Sequence, residues 1–285
     1  GSWMSNPVFY IIGGIGVLAA VLAVLSFYVL HVAVLSVLFT VITIAILVLL
    51  IWITWIRRQY AFGGGGIMEQ VHRVVLSHLD YDGERKILEV GCGSGALTIR
   101  SALTWPKAKV IGVDYWGAVY NYSKALCEKN AAREGVASRC VFQHGDAKQL
   151  DFPDESFDVV ISNPPYMNDA HGIKNPGDAK AIARHEVLCT LDDVVREGTR
   201  VLKPGGRFYM VHRPRRLIEI LQTMKQYGLE PKRMKFVHPY KDREANMVLI
   251  EAVRGGKALM KVEAPVIVFD ENGEYSQEIR TTYGY

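Results

Sequence analysis

From Gly1 to Ile56 the chain contains no Asp, Glu, Lys or Arg, and from Val8 onward nearly every residue is apolar. Only Ser26, His31, Ser36 and a few threonines interrupt the run. One helical span of a bilayer takes roughly 20 apolar residues, and this run is more than twice that length. The pattern predicts two helices folded as a transmembrane hairpin, with the turn between Ser26 and Ser36. A secretory signal peptide would be shorter, with a basic start and a small-residue cleavage site, and these features are missing. Arg57 and Arg58 close the second span, and positive charge marks the cytoplasmic side. The expectation is membrane contact through residues 8–56, in a bacterial inner membrane, with the N-terminus and the rest of the chain in the cytoplasm. Gly1-Ser2-Trp3, ahead of Met4, reads as a cloning remnant. Gly13, Gly14 and Gly16 lie inside the apolar run with no strand before them, so they point to close helix packing rather than nucleotide binding. Cys92, Cys127, Cys140 and Cys189 show no C-x-x-C spacing and read as thiols in a reducing compartment.

The remaining chain changes character. Residues 1–58 form the expected hairpin, 59–66 a glycine-rich linker in which Gly63–Gly66 is either a flexible connection or a backbone that lets a cofactor approach closely, and 67–285 a soluble domain. An amphipathic segment, Ile67 to His78, leads into KILEVG (86–91), a helix ALTIRSAL, KVIGVD (109–114), a helix from Tyr120 to Arg133, CVFQHG (140–145) and FDVVIS (157–162). A helix from about Ala181 to Leu202 follows, then GRFYMVH (206–212), a helix from Arg215 to Tyr227, MKFVHPY (234–240) and ANMVLIEAV (245–253). Strands alternating with helical patterns predict parallel βαβ units in a doubly wound α/β sheet. The last two strands have no helix between them and are expected to pair antiparallel at one edge.

The turn LEVGCGSGALTIR places Gly91, Gly93 and Gly95 at alternate positions, without the full G-x-G-x-x-G spacing of dinucleotide binders. Glu89 stands just ahead of these glycines, where a pyrophosphate would be repelled and a sulfonium or ammonium welcomed. Asp114, ending the second strand, is placed to accept hydrogen bonds from ribose hydroxyls. The fourth strand runs into Asn163-Pro164-Pro165-Tyr166. Two prolines forbid further ladder bonding, so the strand stops there, at the end where open α/β sheets bind ligands. An exocyclic amine is a weak nucleophile because its lone pair is delocalised into the ring. The Asn163 side-chain oxygen and the Pro164 carbonyl, accepting its two N–H bonds, would favour a pyramidal nitrogen able to attack a methyl group in line. Tyr166 offers a face for stacking a base.

Glu89, the glycine turn, Asp114, Gly145-Asp146-Ala147 and NPPY together resemble the class I S-adenosylmethionine-dependent methyltransferases, over residues 67 to about 253. The resemblance implies a seven-stranded Rossmann-like sheet, here preceded by the two-helix hairpin. It implies S-adenosyl-L-methionine held by Glu89, Gly91, Cys92, Gly93, Gly95, Asp114, Tyr115, Asp146, Ala147 and Asn163. Asp146 would bond the adenine amino group of the cofactor and Ala147 would supply a backbone amide. The catalytic set it implies is Asn163, Pro164, Pro165 and Tyr166, a motif similar to that of amino-methyltransferases acting on adenine N6, cytosine N4 or a glutamine amide.

KNPGDAKAIARHEVLCTLDDVVREGTRVLKPGGRFYMVHRPRRL, and the later sequence down to Tyr-Gly-Tyr, resembles the bacterial valine-tRNA adenine-N6 methyltransferases. Residues 1 to about 162, with DYWGAVYNYSKALCEKNA, resemble membrane-tethered class I methyltransferases instead, so the chain reads as a chimera with its seam at Ser162 to Pro164. Between Arg196 and Lys261 there are sixteen Lys and Arg against six Asp and Glu, a local balance of +10 in a chain of net charge +4. Such a stretch is expected to attract the phosphates of RNA, tRNA above all, with anionic lipid as the competing partner. His185-Glu186 lacks a second His at ligand spacing, and no metal is expected. Three functions compete: an RNA adenine-N6 methyltransferase, a membrane-tethered methyltransferase with a small or lipid-like acceptor, and a non-catalytic membrane-anchored RNA-binding module.

Overall fold

The computed structural model describes residues 6–29, 31–59, 62, 72–73, 75–77, 79, 84–116, 122–164, 189–277 and 279–280. Gly63–Gly66, Pro165, Tyr166, His185, Glu186 and the terminal Tyr-Gly-Tyr lie outside them. The chain divides into two units, Gly1–Val71 and His72–Tyr285.

The first unit consists of α1 (Asn6–Tyr28) and α2 (Ala33–Gln59), with the break inside the expected Ser26–Ser36 window. Gly16 lets the helices approach closely, because a Cβ there would stand 2.9 Å from Ile46 Cγ2. Ala19, Ala23 and Ser26 are buried and continue that face at intervals of three or four residues, the small-residue stripe that lets helix backbones meet. Hydroxyls inside α2 are satisfied locally: Thr40, Thr43 and Thr54 donate to the carbonyls of Ser36, Phe39 and Leu50. Phe9–Tyr28 and Ala33–Ile56 are long and apolar enough to cross a bilayer, with mean hydropathies of 2.4 and 3.1. Their apolar side chains are largely exposed, the reverse of a soluble core helix.

The second unit is built on β1 (Lys86–Val90), β2 (Lys109–Asp114), β3 (Cys140–His144), β4 (Phe157–Ser162), β5 (Leu202–His212), β6 (Leu229–His238) and β7 (Met247–Arg254). Their spatial order is β3-β2-β1-β4-β5-β7-β6. β1 to β5 are parallel, and β7 is antiparallel to both β5 and β6. Ile87 to Val90 and Val159 to Ser162 are buried without alternation, as expected for strands covered on both faces. Helices α3 (Ala96–Thr104), α4 (Lys124–Arg133), α5 (Leu191–Val201) and α6 (Leu217–Gln226) flank the sheet. A buried cluster joins Leu88, Val160, Phe208 and Ile250 of the strands to Val194, Val195, Ile220 and Met224 of α5 and α6. Val75 and Leu79, from the segment before β1, share a small cavity with Tyr209, Met210, Val211, Leu249 and Ile250.

Three expectations are corrected. Among the described residues the sheet has nine strands rather than seven, because β8 (Lys261–Val262) and β9 (Val266–Ile267) pair with the outer side of β6 and cover what would be a bare edge. The helix expected from about Ala181 to Leu202 is not continuous: residues 181–188 lie outside the described ones, and α5 starts afresh at Leu191, where Thr190 and Asp193 form a reciprocal capping box, the Thr190 hydroxyl accepting from Asp193 N at 3.2 Å and the Asp193 carboxylate from Thr190 N at 3.0 Å. β5 begins at Leu202, so that residue opens a strand instead of closing a helix.

Candidate functional site

The strand register brings the expected site residues to one edge. Glu89 pairs with Gly112 on one side and Ile161 on the other, and Val90 with Val113 and Ser162. Asp114 pairs in turn with His144. Gly91, Asp114, Gly145 and Asn163 therefore leave β1, β2, β3 and β4 at a common level, at the carboxyl ends of the parallel strands. Chain order reverses between β1 and β4, the switch point where such sheets open a crevice. The Ser162 hydroxyl donates to Val90 O at 3.0 Å and fixes the β4 end against β1, so that Asn163 emerges exposed and Pro164 buried.

The glycine turn is held from inside. Gly91 N and Cys92 N both donate to Val113 O at 2.8 and 3.1 Å, Gly93 N to Asp114 Oδ2 at 2.7 Å, and Gly95 N to Cys92 O at 2.8 Å. Four backbone donors that could cradle a phosphate are thereby committed within the protein, so this turn is not an anion nest. Positive φ at Gly91, Gly93 and Gly95 (80°, 54° and 75°) makes the fold of the turn possible. The three differ in surroundings. A Cβ on Gly95 would stand 2.7 Å from Phe142 and 3.2 Å from Cys127, whereas one on Gly91 would meet nothing within 4 Å. Gly95 thus serves packing, and Gly91 borders open space that a ligand can use.

Glu89 is only 6% exposed. The Thr98 hydroxyl donates to its carboxylate, and among the described residues no cation pairs with it. Burial pushes Glu89 up to about 8, against the hydrogen bonding from Thr98, with the Asp114 charge adding to the rise. Gly112 makes room for this pair, since a Cβ there would stand 2.7 Å from Thr98 Oγ1. Asp114 also accepts from Trp116 N at 2.9 Å, and the Trp116 indole donates to Gly93 O at 2.7 Å. Trp116 thus clamps the turn from the far side of Asp114. Sequence reading passed over Trp116 and Thr98; the signal was a Trp two residues after the strand-ending Asp, and a Thr on the helix that follows the turn.

Cys92 is buried beside Gly112, and its thiol is pushed far up by its hydrogen bond with Cys127 and by burial. Cys127 in turn lies 3.3 Å from Gly93 O. These sulfurs support the turn from below, so the part of Cys92 left for a ligand is the second lone pair of its backbone carbonyl. Tyr115 is 47% exposed, and its ring lies 5.2 Å from that of His144. Asp146 accepts from Lys148 N at 2.9 Å through Oδ1, and Ala147 is half-buried against the core. Pro165 and Tyr166, half of the expected catalytic set, fall outside the described residues.

The basic stretch looks different once folded. Arg196, Arg200, Lys203, Arg207, Arg216, Lys225, Arg233, Lys235 and Arg254 all make ion pairs, several with acids outside the stretch such as Asp154, Asp158 and Glu263. The local balance of +10 therefore overstates the charge available to phosphate. Arg213, Arg215, Lys241 and Arg243 remain exposed at the level of the crevice, where β5 and β6 end, with Asp242 and Glu244 among them.

The residues present suit a cofactor with a cationic end and an adenosine: a buried carboxylate without a cation, a turn closed to phosphate, open space over Gly91, and Asp114 and Asp146 at neighbouring strand ends. Comparison with known proteins agrees. A family model described as a methyltransferase domain matches residues 82–258, on both sides of Ser162. The chain is 27% identical over 143 residues to the tRNA1(Val) (adenine(37)-N6)-methyltransferase of Pedobacter heparinus, covering 50% of this chain and 58% of that relative. It is 26% identical over 199 residues to the Porphyromonas gingivalis protein of the same name, covering 67% and 75%. A release factor glutamine methyltransferase of Xylella fastidiosa is 29% identical over 143 residues, 48% of this chain and 50% of its own length. Among solved structures, a predicted O-methyltransferase of Agrobacterium tumefaciens shares the fold, with a TM-score of 0.57 and 19% identity over 74% of this chain and 94% of its own. The chain belongs to the methyltransferase-domain family, as an enzyme whose cofactor is S-adenosylmethionine.

Proposed function

We propose that this chain is a membrane-anchored methyltransferase acting on the exocyclic N6 of adenine in RNA, tRNA in particular. The observation that carries the reading is the placement of Asn163-Pro164. The pair leaves β4 beside the Gly91 turn, with Asn163 exposed and Pro164 buried, tied through Ser162 to the strand that bears Glu89. S-adenosylmethionine supplies the electrophilic methyl group when bound. Glu89, Gly91, Gly93, Asp114, Asp146 and the Cys92 backbone would hold it. Asn163 Oδ1 and the Pro164 carbonyl accept the two amine N–H bonds and orient the nitrogen lone pair; acceptors fixed in advance in this way act on charge that develops in the transition state. The attack needs no general base, because the proton leaves after methyl transfer. Relatives named for an adenine amine and for glutamine support a planar amino nitrogen as acceptor.

The two apolar helices support anchoring in a bacterial inner membrane, with the enzyme on the cytoplasmic side by the Arg57-Arg58 flank. They also favour a second reading, in which the acceptor is a small or lipid-like molecule delivered by the membrane. The discriminating experiment supplies labelled S-adenosylmethionine and bulk bacterial tRNA to the full chain in detergent, followed by nucleoside analysis. N6-methyladenosine that disappears with Asn163→Ala is the expected result. Cofactor binding without transfer to any RNA, together with labelled lipid in membrane-reconstituted samples, would replace the first reading by the second.

A further inference from the structure

Residues 257–262, Lys-Ala-Leu-Met-Lys-Val, are six consecutive exposed residues following the end of β7. Leu259 is 86% exposed, Val262 57% and Met260 37%. Leu259 also holds a φ of 90°, a region that a bulky side chain rarely enters. Nothing in the apolar core requires this leucine to face outward. The loop is nevertheless fixed: Gly255 N donates to Gly228 O at 2.9 Å, Gly256 N to Val253 O at 3.1 Å, and Lys232 Nζ to the carbonyl of Lys257 at 2.9 Å. Among the described residues Lys257 and Lys261 have no acidic partner, and no acid occurs between Gly255 and Val262. Rigidly displayed apolar side chains flanked by uncompensated lysines are complementary to an anionic bilayer surface. The apolar groups enter the acyl boundary while the ammonium groups meet the phosphates.

We infer that residues 257–262, a loop and the short strand β8 that it leads into, form a lipid-contacting segment that seats the methyltransferase unit on an anionic membrane. β7 runs antiparallel to β5, and its last residue, Arg254, pairs with Leu229, the first of β6. The loop therefore stands at the edge where the parallel strands begin, opposite the edge bearing Gly91, Asp114 and Asn163. Lipid contact there turns the crevice toward the aqueous side, which suits a water-borne acceptor and deepens the RNA reading over the lipid one. The inference rests on the two apolar helices being spans, and the experiment separates the two questions.

The full chain is reconstituted in vesicles of phosphatidylcholine, with or without about a third phosphatidylglycerol, and backbone hydrogen exchange is followed for residues 255–262. Exchange there is expected to slow on the anionic vesicles only. In a Lys257→Glu, Lys261→Glu variant that protection should weaken about fivefold for each lysine changed, and a Leu259→Ser variant should lose it too. Cofactor affinity should be unchanged in both. Equal exchange on both vesicle types, in a chain that floats with them, would overturn the loop while leaving the spans intact. A chain that does not float overturns both. Protection of the loop by tRNA in detergent, with no lipid effect, would reassign the surface to nucleic acid and overturn the inference.

Discussion

Two buried glutamates, on the two halves of the same sheet, are treated in opposite ways. Glu251, on β7 and 1% exposed, lies between two guanidinium groups: it pairs with Arg207 and, at 2.9 Å, with Arg233, which itself reaches Glu263 at 2.7 Å. Glu89, on β1, has one hydroxyl and a neighbouring carboxylate, Asp114. Burying a charge without a partner is costly, so Glu89 retains its proton to about pH 8, whereas Glu251 has its cations built in. The antiparallel end of the sheet is a finished structure. At the parallel end no cation among the described residues meets Glu89, which is what the proposed binding of a sulfonium and an ammonium there would call for. An uncompensated buried acid at a strand end is thus a sharper marker of the site than the glycines beside it.

The comparison can be broken or sharpened by substitution. Glu251→Ala leaves two guanidinium groups without their acid and is expected to cost about 3–5 kcal/mol in denaturation, with cofactor affinity unchanged in molecules that remain folded. Asn163→Ala is expected to lower kcat by about a hundredfold or more with little change in melting temperature, since Asn163 is exposed and, in the proposed function, acts on the transition state. Glu89→Gln should act oppositely to the Glu251 change. The folded pKa of Glu89 lies above its ordinary 4.5, so the native state holds a proton that the unfolded chain releases, and stability falls as pH rises from 4.5 to about 8. Glutamine removes that slope, on the order of 1 kcal/mol per pH unit, and weakens S-adenosylmethionine binding measured by calorimetry. If wild-type and variant gave parallel stability curves over that range, Glu89 would be an ordinary core acid. Gly95→Ala is expected to cost about 1–3 kcal/mol by overpacking against Phe142, whereas Gly91→Ala, which overpacks nothing but is strained by its φ of 80°, should cost less in folding and also weaken cofactor binding. Trp116→Phe, which removes the indole donor to Gly93 O, should cost about 1 kcal/mol and loosen cofactor binding only slightly.

The parallel half was the more legible in sequence. β2 and β4 fall where KVIGVD and FDVVIS were expected, because short β-branched runs bounded by turn residues have little else to become. Glu89, Asp114 and Asn163 stood out in sequence because each ends, nearly ends or follows such a strand, and the register brings those strand ends to one level. What sequence could not show was compensation. Sixteen basic residues between Arg196 and Lys261 look like a phosphate surface until folding brings Asp154, Asp158 and Glu263 against them. Likewise, Thr190-x-x-Asp193 was a capping box in plain sight, hidden by an apolar pattern that seemed to extend the helix backward past it. Pairing across long sequence separations and local capping against periodicity are decided by tertiary contacts, not by composition.

The position of β7 also sets an order of events during synthesis. It is the last long strand to leave the ribosome, yet it lies between β5 and β6, hydrogen-bonded to both. Until residues 247–254 emerge, β5 presents an open flank and β6 has no route into the sheet. The apolar hairpin, by contrast, is made before any strand of the sheet. A chain tethered at a membrane would therefore carry an incomplete catalytic unit until residues 247–254 are made, with the earlier strands able to pair and the closing strand arriving after them. Truncation anywhere before Arg254 would remove the strand that joins the two ends of the sheet, however complete the cofactor turn.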